Sequence, residues 1–399
     1  MKYKSSTRIT SFVKFAKNNW QTIVVVLPVF IGTILFLSRI PGSAAEAEHT
    51  TAQLSASLKN VFDNPINAPY KLVAFFATLL SPSVLAVRSV SILFFFLSIL
   101  ALYYTLRHWH SNRAAGLATA AFAANSIALA VGRLGTELVM IMGWFIFTGM
   151  LLWQVHGKSN KIVPNLVLVA LAVLLYTPGA PWFFFVFLFF YWDRFRKAFV
   201  NVKNRHLIIG VIALIALLAP LVIAFTKNPN TAIEWLLLPQ SFDITNLYKS
   251  ALQVPSAYIY KMSLNPLINV SSLPVFDLAS GFLFLIGIYA YSKKLRLDRT
   301  RLMIAVSLVG LIVGALGQVM VAVIMLLPFA FSVIAAGIEY LLDEWNGIFP
   351  KNPFARSFGL LVITTVVLFG MYYQLTRFLV VWPQAVETRN TYNQSRIIE

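Results

Sequence analysis

Residues 81–109 are SPSVLAVRSVSILFFFLSILALYYTLRHW. From Val84 to Leu106 the run is apolar and long enough to cross a bilayer core, which takes about 20 residues of helix. Arg107 stands just past one end, and Arg88 lies a turn inside the other. A charged side chain at that depth is expensive, so Arg88 predicts a buried partner or a functional role, and no acid lies near it in sequence.

The rest of the chain repeats the pattern. Of its 399 residues, 59% are hydrophobic and 12% charged, too apolar for a soluble protein of this length. Runs at 20–39, 84–106, 114–132, 137–155, 162–176, 180–192, 207–226, 276–292, 302–317, 319–341 and 358–380 predict an all-α polytopic membrane protein of about eleven transmembrane helices. Two of these divisions rest on turn chemistry, at YTPGAP (176–181) and GALGQ (314–318).

The net charge is +18, from 32 Lys and Arg against 14 Asp and Glu. In a soluble protein that would suggest nucleic acid. Here the basic residues gather in short connections and the N-terminal 1–19, which by the positive-inside rule are cytoplasmic. The first run then reads as an uncleaved signal anchor, with the tail 381–399 external. Glu46, Glu48, Asp63, Glu137, Glu234 and Asp277 all fall on the outer side, so charge sets orientation and implies no nucleic-acid partner. There is no cysteine, which excludes disulfides and thiolate chemistry. The five histidines lack the i, i+4 spacing of a helical metal pair.

Two outer segments are too long to be mere connectors. The first, 40–83, holds an amphipathic stretch AEHTTAQLSASLKNVF and then APYKLVAFFATLLS, which is too short to span and suits the interface. The second, 227–275, contains EWLLLPQSF and NLYKSALQVPSAYIYKM. No internal repeat or soluble domain is apparent in sequence, so 1–399 reads as a single transmembrane domain. The spacing of Gly310 and Gly314 suits close helix packing.

Chemistry concentrates at the outer side. Glu46 and Glu48 follow the first run, where they read either as first-turn acids of a helix capped by Ser43 or as a general base for an external hydroxyl. Arg133 and Glu137, in GRLGTE, are four apart and would pair if the helix continued through Gly135. Lys71 reads either as a lysine snorkelling from an interfacial segment or as a cation for a departing phosphate. Glu46, Glu48, His49 and Glu137 leave a divalent cation open, provided the loops bring them together.

These features, in this order, resemble the integral-membrane glycosyltransferases of the GT-C fold, in particular the protein O-mannosyltransferase and aminoarabinose-transferase-like group. The resemblance rests on SRIPGSAAEAEHTTA (38–52), NPINAPYKLVAFF (64–76), SPSVLAVRSVSILF (81–94), AVGRLGTEL (130–138) and LLYTPGAPWFFF (174–185). Beyond about residue 200 it reduces to topology and LLPFAFSVIAAG (326–337). It implies a GT-C-like bundle with interfacial helices in the first external loop, and a sugar donor on polyprenyl phosphate. The acceptor would be a hydroxyl on a protein, lipid or glycan at the outer face, and the displacement would invert the anomeric centre. The family's catalytic acid, usually Asp, is matched by Glu46 or, in a shifted alignment, by Glu48. Where the family commonly has an Asp-Glu pair, this chain has Ala45-Glu46. Glu137 resembles its second acid, Lys71 its lipid-phosphate contact, and Arg88 and Arg133 arginines of the same cavity. A transporter or flippase of a lipid-linked or small substrate is the rival reading, against which stands the clustering of ionisable residues at one face.

Overall fold

The computed structural model describes residues 36, 37, 39–143, 163–200, 204–239, 244–263 and 265–395. The expected first span, 20–39, lies outside the described residues except at its end. Of the expected span 137–155, only the first seven residues are described, as a 3-10 turn Glu137–Val139 running into helix.

The described chain is helical, with one isolated bridge between Ala44 and Gln394. The first long loop folds into three helices, α1 (Glu46–Leu54), α2 (Leu58–Asp63) and α3 (Ala68–Leu80). Then come α4 (Val84–Trp109), α5 (Asn112–Ala124), α6 (Ser126–Arg133), α7 (Val163–Leu174), α8 (Ala180–Val200) and α9 (Asn204–Lys227). The second long loop carries α10 (Pro229–Trp235) and α11 (Ile244–Ile259). The bundle closes with α12 (Leu278–Ser292), α13 (Asp298–Ala315), α14 (Val319–Ile348) and α15 (Pro353–Thr376). A π-helical turn Arg377–Val381 leads on to Trp382–Gln384 and the short α16 (Val386–Thr391).

Among the described residues, α4, α9, α14 and the helix Pro353–Gln384 are long and apolar enough to cross a membrane. The pair α5 and α6 adds a fifth if counted as one span, bent by 61°. This bend corrects the uninterrupted span expected at 114–132. Asn125 causes it by capping α6, accepting bonds from the N–H groups of Ile127 and Ala128 while its amide donates to the carbonyl of Val275 at 3.0 Å. The chain also breaks within YTPGAP and within GALGQ, where Gly179 and Gly317 take φ of 75° and 92°.

Helix α14 is the axis of the bundle: 72% of its apolar window is buried, against 17% for α9, which faces outward. Two glycines let α12 lie against it backbone to backbone. A Cβ on Gly287 would stand 1.9 Å from the carbonyl oxygen of Val333, and one on Gly337 would stand 2.1 Å from that of Leu283. Gly310 admits Leu326 of α14, and Gly314 admits Val254 of α11. At one end of this frame α1, α3, α10, α16 and the start of α14 converge around a cavity.

Candidate active site

Helix α1 begins after Ala45, not at Ser43 as expected, and Ala45 has no side-chain oxygen with which to cap it. Glu48, three residues on, supplies the missing acceptor by reaching back to the N–H of Ala45 at 3.0 Å. Its carboxylate also takes two bonds from Arg88, at 2.7 Å through Nε and 2.6 Å through Nη2, and one from the N–H of Gly135 at 3.0 Å. All four lone-pair positions are thus engaged. Arg133 Nη2 lies 3.7 Å away. Burial is the largest influence on this carboxyl and would raise its pKa, yet Arg133, Arg88 and the Gly135 N–H together hold it below the ordinary carboxylate value.

The partner that Arg88 requires is therefore Glu48, forty residues back. The rest of its guanidinium donates to the carbonyls of Pro41 and Ser43 at 3.1 and 2.6 Å. Arg133 is equally buried, its guanidinium 4.9 Å from the Tyr392 ring centre and 5.4 Å from that of Trp382, with Nη1 donating to the Tyr392 hydroxyl at 3.0 Å. The expected pair of Arg133 with Glu137 is not made, because α6 ends at Arg133 and the chain turns at Leu134. Glu48, Arg88 and Arg133 form a sealed knot beneath the cavity, and none of them lines it. The resemblance likened Arg88 and Arg133 to arginines of the cavity and offered Glu48 as an alternative base; here all three are fully buried and paired behind its wall.

The cavity has a volume of about 980 Å³. Glu46 lines it from the first turn of α1, exposed, its carboxylate without a hydrogen bond or ion pair among the described residues. Lys71 lines it from α3. Its side chain is only 1% exposed, so it does not snorkel to the surface; Nζ donates to the Asn64 carbonyl at 3.1 Å and lies 3.9 Å from Glu137. Burial pushes the Lys71 ammonium below its ordinary value, while Glu137 and Glu234 pull it part of the way back. Glu137 is itself steadied by the Thr51 hydroxyl at 3.0 Å.

The turn at YTPGAP holds two walls of the cavity in place. Asn67, in the left-handed conformation at φ 56°, donates its N–H to the Tyr176 carbonyl at 2.7 Å and so fixes the start of α3. Tyr70 fixes that helix to α4 through Ser91 at 2.7 Å. On the other wall, the Gly179 N–H donates to the Trp235 carbonyl at 2.9 Å, and Trp182 Nε1 donates to that of Leu236 at 2.9 Å. These bonds bring Glu234 of α10 to the cavity rim. Sequence reasoning assigned Glu234 no role. Its position in EWLLLPQSF, within a loop too long to be a connector, was the available signal.

Among the described residues no three His, Asp or Glu side chains gather as a metal site. Of the four residues Glu46, Glu48, His49 and Glu137, Glu48 is engaged by Arg88 and the His49 ring bonds the Ser395 carbonyl at 2.7 Å.

Comparison with known proteins finds the dolichyl-phosphate-mannose-protein mannosyltransferase family model matching residues 63–223. No curated protein matches in sequence. Among solved structures, ArnT from Cupriavidus metallidurans in its apo state superposes with a TM-score of 0.56 at 12% identity, covering 94% of this chain and 78% of that one. The same protein bound to undecaprenyl phosphate superposes with a TM-score of 0.55 at 13% identity, covering 92% and 77%. The chain has the GT-C fold, that of a polytopic integral-membrane protein.

Proposed function

We propose that this chain is a GT-C membrane glycosyltransferase, a reading that its fold and the match over 63–223 support, and that it moves a sugar from a polyprenyl-phosphate donor to an acceptor hydroxyl at the outer membrane face. The observation that carries this reading is the pairing of functions in one cavity. An unengaged carboxylate, Glu46, and a buried ammonium, Lys71, line the same space, and Lys71 is the one cation among its described lining residues. The undecaprenyl phosphate held by ArnT supports the donor class.

Glu46 takes the proton of the acceptor hydroxyl as its oxygen attacks the anomeric carbon. The bond from that carbon to the phosphate oxygen breaks, and Lys71 stabilises the negative charge left on the polyprenyl phosphate. A single displacement of this kind inverts the anomeric centre and needs one base. Glu137 orients Lys71. Glu48, Arg88 and Arg133 act at one remove, as positioning residues that fix the first turn of α1 and with it Glu46. The outer orientation fits the donor, since a lipid carrier presents an activated sugar where nucleotide sugars are not supplied.

The test is label transfer from a panel of radiolabelled polyprenyl-phosphate sugars to a membrane extract by purified protein. Wild type should move label, Glu46→Gln should not, and Lys71→Ala should raise the KM for donor more than that for acceptor. Full activity in Glu46→Gln would remove the base from this position, and failure of wild type with every donor would overturn the transferase reading.

A further inference from the structure

Resting on that reaction, we infer that the segment 386–395 is the acceptor-recognising wall of the cavity, where the side-chain amides of Asn390, Asn393 and Gln394 read the uncharged polar groups around the attacked hydroxyl. All three line the cavity, and none makes a side-chain hydrogen bond among the described residues. An amide offers both donors and acceptors, which matches hydroxyls, themselves both donor and acceptor. Glu387 and Arg389, the charged residues of this segment, do not line the cavity, so the wall selects for polarity without charge.

Position assigns the wall to the acceptor. Gln394 and Ala44 exchange backbone bonds of 3.0 and 3.2 Å, two residues before Glu46. The Ser43 hydroxyl donates to the Tyr392 carbonyl, and His49 bonds the carbonyl of Ser395. The segment is therefore laid along the first turn of α1, where the base stands. The phosphate cation is reached from farther along that helix: Thr51 holds Glu137, which pairs with Lys71. Thr51 is five residues past Glu46, about 7.5 Å along the axis at 1.5 Å per residue. In a direct displacement the group nearest the base is the acceptor oxygen, and the group nearest Lys71 is the leaving phosphate.

The wall is also held firmly, as a binding surface must be. Tyr392 is buried; its hydroxyl accepts from Arg133 and donates to the Leu267 carbonyl at 2.7 Å, and its ring meets Trp382 edge-on.

The chain contains no cysteine, so Asn393→Cys and Asn64→Cys each carry a single thiol, one on the tail wall and one on the Lys71 side. Labelling of the purified full chain with a water-soluble maleimide is followed with undecaprenyl phosphate alone, then with the membrane-extract fraction that takes up label in the transfer assay. The lipid should protect Asn64→Cys and leave Asn393→Cys reactive, and the acceptor fraction should protect Asn393→Cys. Kinetically, Asn393→Ala should raise the acceptor KM about fivefold or more, the loss of one hydrogen bond, at constant donor KM. Protection of Asn393→Cys by the lipid, or its continued labelling in an acceptor fraction that supports transfer, overturns the assignment. Absence of transfer together with an unprotected Asn64→Cys instead strikes the glycosyltransferase reading itself.

Discussion

Glu46 and Glu48 differ by two positions and have opposite fates. Successive helical residues are rotated by about 100°, so positions i and i+2 point to nearly opposite sides of α1. One faces the cavity, and the other faces the arginines beneath it. Glu46→Gln should lower transfer by at least about a hundredfold, the usual loss when a general base is removed. Its thermal midpoint should match wild type, because that carboxylate holds nothing together. Glu48→Gln should behave in reverse, losing about 3–5 kcal/mol of stability by leaving Arg88 without its buried counter-ion, read as a fall in the detergent melting midpoint. The pH dependence has a definite sign. The Glu48 carboxyl is depressed in the folded protein below its ordinary 4.5, so its contribution is present above that value and is lost as pH falls through the folded one. The wild-type midpoint should drop on acidification below about 4.5, and Glu48→Gln should flatten the drop.

At the scale of elements, the YTPGAP turn between α7 and α8 acts as an anchor for α3 and α10. Gly179 has a positive φ, and a Cβ there would meet Leu237 at 2.6 Å. Gly179→Ala should cost about 1–3 kcal/mol in strain and raise the donor KM, measurable by a melt and a donor titration. Helix α3 carries Lys71 into a buried position, which lowers its pKa from the ordinary 10.5. In the proposed donor role the charged form is the one that would hold phosphate, so donor use should be lost as pH rises through the lowered value. The alkaline limb of kcat/KM for donor should lie below 10.5 and vanish in Lys71→Ala; a limb at the ordinary value would detach Lys71 from the donor.

For the whole molecule, the asymmetry of charge predicts orientation. With the cavity outside and the basic connections inside, an impermeant maleimide on intact cells should label Asn393→Cys and spare Lys351→Cys, which lies in the turn between α14 and α15. Labelling of Lys351→Cys alone would invert the protein and remove the argument for a lipid-borne donor.

Run length and loop charge were enough to establish an all-helical membrane protein, because the cost of burying charge or an unpaired backbone in lipid acts on each segment separately and is written in local order. The breaks at YTPGAP and GALGQ were legible for the same reason, since proline and glycine act on their own backbone. The bend at Asn125 was not, because a polar residue within an apolar run signals a cap only once its neighbours' N–H groups turn toward it. Contacts between distant residues lay beyond sequence altogether. Arg88 shows no acid nearby in sequence, yet α1 packs on α4 and delivers Glu48 to it. Arg133 leaves Glu137, four residues away, and stacks on Tyr392 at the far end of the chain. Glu234 and the tail amides reach the cavity only when the second loop and the last segment fold over the first. Composition determines that the chain lives in a membrane; which carboxylate is free to react is decided by packing, because a side chain's exposure depends on what the rest of the chain places against it.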